Sequence, residues 1–155
     1  MLKILRNRMQ DDKGFTLIEL MVVVLIIAIL IAIAIPTFLG LRRRAQDRAA
    51  QSNLRNGMTA GKAFFTDDET YVAFDAAEGE VIEPSLTWVD GDTGANPNQV
   101  GVRLAVVDQL VLSSYSASGT YFCIADDTTD AVGSPAGTFF GPVNAATVAA
   151  CTGGW

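Results

Sequence analysis

The 22 residues from Leu20 to Leu41 carry no charged side chain. As one helix they are long enough to cross the hydrocarbon core of a bilayer, which takes about 20 apolar residues. The run is Leu, Ile, Val, Ala and Met up to Ile35, and Pro36 follows. A small domain cannot bury so long an apolar rod, so this half of the helix must lie in lipid or against other copies of itself. Glu19 stands at the start of the run, with only Phe15, Thr16, Leu17 and Ile18 ahead of it in the block. A carboxylate there is costly and marks a functional residue.

The remaining residues, roughly 115, suffice for one modest domain. Charge is unevenly spread. Lys3, Arg6, Arg8 and Lys13 precede the run; Arg42, Arg43, Arg44, Arg48, Arg55 and Lys62 follow it, opposed there only by Asp47. Beyond residue 63 the only base is Arg103, against thirteen acids from Asp67 to Asp130. An acidic distal part disfavours direct nucleic-acid binding. The collar from Arg42 to Lys62 is read as facing lipid headgroups or acidic neighbours, with phosphates of other kinds as the alternative.

The chain has no histidine, which removes His-based triads, His metal sites and the commonest general base. Basic residues on both sides of the run leave its orientation open by the positive-inside rule. Cys123 and Cys151 both lie C-terminal to the run. They are expected to pair on an oxidising side of the membrane, two separate buried thiols being the alternative.

Residues 1–14 read as a short basic leader without an apolar core of its own. Residues 15–38 form the apolar half of a helix. An amphipathic half follows over 39–65, with Phe38, Leu41, Ala45, Ala49, Leu54, Met58, Gly61 and Phe65 spaced mostly three or four apart. Pro36 is expected to kink the helix rather than end it, because the pattern resumes at once. The whole helix is expected over about 15–65. Residues 66–99 read as a long irregular connection held down by Tyr71, Phe74, Leu86 and Trp88. Over 100–141 the period changes to two: Val102, Leu104 and Val106, then Leu110 and Leu112, then Thr120, Phe122 and Ile124. This predicts an antiparallel meander of three strands, with Thr138, Phe139 and Phe140 as a fourth. The tail, 142–155, would be tied down by a Cys123–Cys151 bond. The fold class is α+β, a long N-terminal helix packed on a small antiparallel sheet.

From residues alone, an uncleaved signal anchor is the alternative reading of the N-terminal segment. A more specific pattern lies in Lys13-Gly14-Phe15-Thr16-Leu17-Ile18-Glu19-Leu20, the apolar run and Pro36. It resembles the N-terminus of type IV pilins and of the related type II secretion pseudopilins, closely over residues 1 to about 65. The resemblance implies that prepilin peptidase cuts between Gly14 and Phe15 and methylates the Phe15 amine. It implies that Glu19 then faces the Phe15 amine of a neighbouring subunit. A carboxylate in an apolar bundle needs a partner, and such a pair sets register more than stability. The implied protein is a structural subunit of a type IV pilus filament, a homo-oligomer that also meets prepilin peptidase, the pilus assembly machinery and membrane lipid. It would be stored in the cytoplasmic membrane with its head outside the cytoplasm and then become extracellular. The alternative is a pseudopilin of a type II secretion piston, whose head typically holds calcium. The 14-residue leader is longer than the shortest in the family, and positions 20–35 lack the glycine many relatives carry.

Two groups of oxygen ligands bear on that alternative. Asp90, Asp92 and Asn96 alternate vaguely as in a calcium loop, but the closing glutamate is missing and a turn is the preferred reading. Asp126, Asp127 and Asp130 are read as a solvated turn. No metal and no cofactor is expected. Ser113, Ser114, Ser116 and Ser118 have no histidine to activate them, so the chain is not read as an enzyme.

Overall fold

The computed structural model describes residues 14–129 and 136–155. The chain divides into two compact units, Met1–Gly40 and Leu41–Trp155. One helix, α1, Leu17–Asp68, contributes to both. It runs through Pro36 without interruption, although proline leaves the carbonyl four residues earlier without its donor. One residue on, the Thr37 hydroxyl donates to the Ile33 carbonyl at 3.2 Å. The helix ends at Asp68, three residues past the expected end; Glu69 takes φ 55° and donates its amide to the Phe65 carbonyl at 2.8 Å. A left-handed residue closing the last turn in this way is a common helix stop.

The buried stripe of α1 is Ala50, Leu54, Gly57, Met58, Ala60 and Gly61. It begins later than expected: Phe38, Leu41, Ala45 and Ala49 are exposed. Spacing alone shows that a face is apolar, not where its cover begins.

The stretch 66–99 departs furthest from the expected irregular connection. After the end of α1 it holds a short helix, α2, Ala76–Ile82, and a strand, β1, Thr87–Asp90. The Asp75 carboxylate caps α2 by accepting from the amides of Ala77 and Glu78 at 2.9 and 3.0 Å. Gly79 lets α2 lie directly on the Trp88 indole, since a Cβ there would stand 2.5 Å from the ring. Tyr71, Phe74, Leu86 and Trp88 are all buried, as expected of the anchors.

The sheet has five strands in the order β1-β2-β3-β4-β5, with β2 Gln99–Ala105, β3 Gln109–Tyr115, β4 Tyr121–Asp127 and β5 Gly137–Gly141. The pairs β2–β3, β3–β4 and β4–β5 are antiparallel, so the meander and its fourth strand form as expected. β1 adds parallel to β2, with Trp88 beside Val100. The link between them turns back sharply, with Gly91, Gly94 and Asn98 at positive φ.

The two faces of the sheet are sealed differently. Leu110 and Leu112 of β3 and Phe122 and Ile124 of β4 meet Leu54 and Met58 of α1 in the main core. On the opposite face Val111, Cys123 and Ala125 pack with Ala145, Val148 and Cys151 of the tail. Cys123 and Cys151 form a disulfide, Cα atoms 5.8 Å apart. The tail then returns to the helix side. Gly154 donates to the Phe140 carbonyl at 3.0 Å, and Trp155 packs on Phe122 and Phe140 with its indole N–H on the Cys123 carbonyl at 3.1 Å. This covers the edge of β5, which would otherwise offer unpaired backbone groups.

Asp126 and Asp127 require a correction. They were expected in a solvated turn, but both lie in β4 and are buried; Asp130 lies outside the described residues. Strand alternation sends Asp126 toward the helix side. There it accepts from the Tyr71 hydroxyl at 2.8 Å and the Thr138 hydroxyl at 2.8 Å, and pairs with the Lys62 ammonium at 2.8 Å. Burial first, then the hydrogen bond to Asp126 and its charge, push the Tyr71 phenol far above its usual range. Asp127 accepts from the Gln109 amide at 2.8 Å and the Thr129 backbone at 3.1 Å. Buried carboxylates are tolerated only when so partnered.

Candidate functional site

The N-terminal half of α1 is apolar on every side, and none of it is covered by the described residues. Phe15 is 88% exposed, and large side chains from Leu17 to Leu41 are exposed with it. A soluble monomer rarely shows a continuous apolar surface of this kind, so something must cover it.

At its head, Thr16 and Glu19 form a reciprocal cap. The Thr16 hydroxyl accepts from the Glu19 amide at 3.3 Å. One carboxylate oxygen of Glu19 reaches back to the Thr16 amide at 2.9 Å and the Thr16 hydroxyl at 2.7 Å. This is the capping box, in which a residue pair three apart satisfies donors that the first helical turn leaves free. Sequence reasoning singled out Glu19 by its cost in an apolar block and missed Thr16. The spacing Thr-x-x-Glu was the available signal. The cap also places the carboxylate beside the chain segment that carries Gly14 and Phe15. Residues 1–13, the body of the expected leader, lie outside the described residues.

The basic residues after the run separate into two groups. Arg55 stacks its guanidinium on the Trp155 ring, 4.8 Å from its centre, and Lys62 pairs with Asp126. Both therefore belong to the packed unit. Arg42, Arg43, Arg44 and Arg48 are exposed and make no ion pair among the described residues. The nearby Asp47 accepts from the Ser116 hydroxyl at 2.8 Å and from the Ser118 hydroxyl, so it is committed to the β3–β4 turn.

The weak cation candidates are engaged by the protein. Asp90 accepts from the Ala76 amide at 2.8 Å. Asp92 accepts from the Asn144 side chain at 2.8 Å and the Gly94 amide at 2.9 Å, and Arg103 stands 3.4 Å away. The Asn144 hydrogen bond leads the interactions that hold the Asp92 carboxyl below its usual range. The Asn96 amide donates to the Thr93 carbonyl at 3.3 Å, closing a turn. No group of three or more His, Cys, Asp and Glu side chains among the described residues is placed to hold a metal. Of the four serines, Ser114 donates to the Gln99 carbonyl at 2.7 Å, and the buried Ser113 hydroxyl has no hydrogen-bond partner among the described residues.

Comparison with known proteins converges on the same end of the chain. Residues 9–35 match the family described as the prokaryotic N-terminal methylation motif. The type IV major pilin protein PilA of Myxococcus xanthus is 49% identical over 63 residues, 41% of this chain and 29% of that protein. The type IV wide pilus major component PilA4 of Thermus thermophilus is 41% identical over 69 residues, 44% of this chain and 53% of that protein. The chain thus spans about half or less of the length of these two relatives. The fimbrial protein EcpC of Eikenella corrodens is 44% identical over 111 residues, 71% of this chain and 67% of that protein. No solved structure matches significantly. A methylation-motif N-terminus, a long helix packed on a mostly antiparallel sheet, and identity to a fimbrial protein along two thirds of its length place this chain in the type IV pilin family.

Proposed function

We propose that the chain is a structural subunit of a type IV pilus, stored in the cytoplasmic membrane by the apolar half of α1 and assembled into a homo-oligomeric filament through the same surface. The observation that carries this reading is the uncovered apolar helix from Leu17 to Leu41, attached to a unit whose own core is complete. Lipid covers that helix first, and the helices of other copies cover it later. Transfer from one to the other keeps apolar area out of water throughout, at a value of about 25 cal/mol per Å².

Prepilin peptidase cuts between Gly14 and Phe15 and methylates the new amine of Phe15. Glu19 then meets the Phe15 amine of a neighbour. To do so it exchanges its contacts with Thr16 for a cation, which sets the register of one copy on the next. The head stands outside the cytoplasm, where the Cys123–Cys151 disulfide is stable.

The mass of the isolated chain tests processing: a chain beginning at methylated Phe15 supports the reading, and one still carrying residues 1–14 sinks it. Glu19→Val tests the pairing. The expected product is processed and membrane-held but yields few filaments in sheared surface material viewed by electron microscopy. Wild-type yield would remove Glu19 from the mechanism. Long surface fibres in the same images separate a pilus from a secretion piston. The pilus reading is further supported by Asp92, both of whose carboxylate oxygens accept from protein donors, and by Asp90, which accepts from the Ala76 amide.

A further inference from the structure

We propose that Arg42, Arg43, Arg44 and Arg48 form a binding surface for the phosphate groups of anionic phospholipids while the chain stands in the membrane. The inference rests on the apolar run being a membrane span, as read above. Glu19 and Arg42 bracket 22 uncharged residues, about 33 Å of helix at 1.5 Å per residue. The hydrocarbon core is about 30 Å thick, so the first arginine falls at headgroup depth.

Three consecutive arginines on a helix point in directions about 100° apart, and Arg48 repeats the direction of Arg44 one turn on. The packed stripe of α1 begins only at Ala50, so the neighbourhood of Arg42 to Arg44 is open on all sides. Among the described residues no acid pairs with the four guanidinium groups, and Asp47 is held by Ser116 and Ser118. The guanidinium fork matches phosphate geometry with two parallel hydrogen bonds. Basic residues next to a membrane span are attracted to anionic headgroups. The other two bases of the helix are excluded from this surface, Arg55 by Trp155 and Lys62 by Asp126.

The test uses the full chain reconstituted in phosphatidylcholine vesicles, with trace spin-labelled phosphatidylglycerol or phosphatidylcholine to report lipid held at the protein. The expected result is preferential retention of phosphatidylglycerol. The preference falls by roughly twofold or more in the variant R42Q/R43Q/R44Q/R48Q, and falls similarly for the unaltered chain in molar salt. Arg55→Gln is expected to leave it unchanged. A preference equal in the fourfold variant and the unaltered chain overturns the proposal. If that variant also loses filaments, the arginines serve contacts between copies instead. If neither lipid is held at the protein, the membrane span itself is wrong and the collar falls with it.

Discussion

Helix α1 presents two opposite solutions to apolar surface. Before Leu41 its side chains are exposed on every face; beyond Ala50 one stripe is buried, Phe64 and Phe65 are half-buried against the core, and most of the remainder is polar. The C-terminal part closes its account within the chain, by Leu54 and Met58 against Leu110, Leu112 and Ile124. The N-terminal part has no such partner among the described residues, and its side-chain polar contacts are local, joining Glu19 to Thr16 and Thr37 to the Ile33 carbonyl. The lesson is that one helix can be half fold and half interface. Substitutions in the first half should leave the head's stability alone and change assembly, whereas those in the second half should do the reverse.

The sharpest test of the head is its disulfide. Replacing Cys123 and Cys151 by Ser should cost roughly 3–4 kcal/mol of head stability, measured by denaturant unfolding in detergent with Trp88 and Trp155 fluorescence as probes. An unchanged midpoint would show that the tail is held by Trp155 and Val148 without the bond. Leu54→Ala, which empties a fully buried site on α1, should cost about 3 kcal/mol in the same assay. Its counterpart in the exposed half, Ile26→Ala, should shift head unfolding by less than about 0.5 kcal/mol. A larger effect would break the division between the two parts.

Tyr71→Phe removes a buried hydrogen bond to Asp126 and should cost about 1.5–2 kcal/mol near neutral pH. The same residue gives the head an alkaline limit. The Tyr71 phenol has its pKa raised in the folded state above the ordinary value of 10.0. The stability that this shift contributes is fully present below pH 10 and is lost as pH rises above it. The unaltered head should therefore lose stability above that pH more steeply than Tyr71→Phe does. Among the substitutions in the head the smallest effect should come from Asp92→Asn, at an exposed carboxylate bonded to Asn144. Its acid-side contribution is present above the ordinary carboxylate value and lost as pH falls through the lowered one. Acid unfolding midpoints of the two proteins check it.

Much of this division was legible in residues. The apolar run, Glu19 and Pro36 lie within one local stretch, and their meaning depends on length and charge rather than on distant contacts. The meander was legible because its strands alternate and their links are short. β1 was not legible, because a parallel strand lacks the hairpin signal and four residues carry little periodicity. The helix α2 was hidden similarly: seven residues are too few to show a face, its start rests on the Asp75 cap, and its packing rests on the close approach of Gly79 to Trp88.

By itself the sequence determined that a charge-free helix of membrane length precedes an acidic head, because hydrophobic length and net charge are sums over the chain and need no coordinates. It also determined the alternation that makes a sheet. Only the tertiary structure decided which charges are spent. Asp126 and Asp127 have the composition of a turn, yet β4 buries them beside Lys62, Tyr71, Thr138 and Gln109. Arg55 and Lys62 look like members of one basic collar until Trp155 and Asp126 claim them. The reason is physical: the fate of a charge depends on the donors and acceptors that folding brings within about 3 Å, and those partners come from residues as far apart in sequence as Lys62 and Thr138.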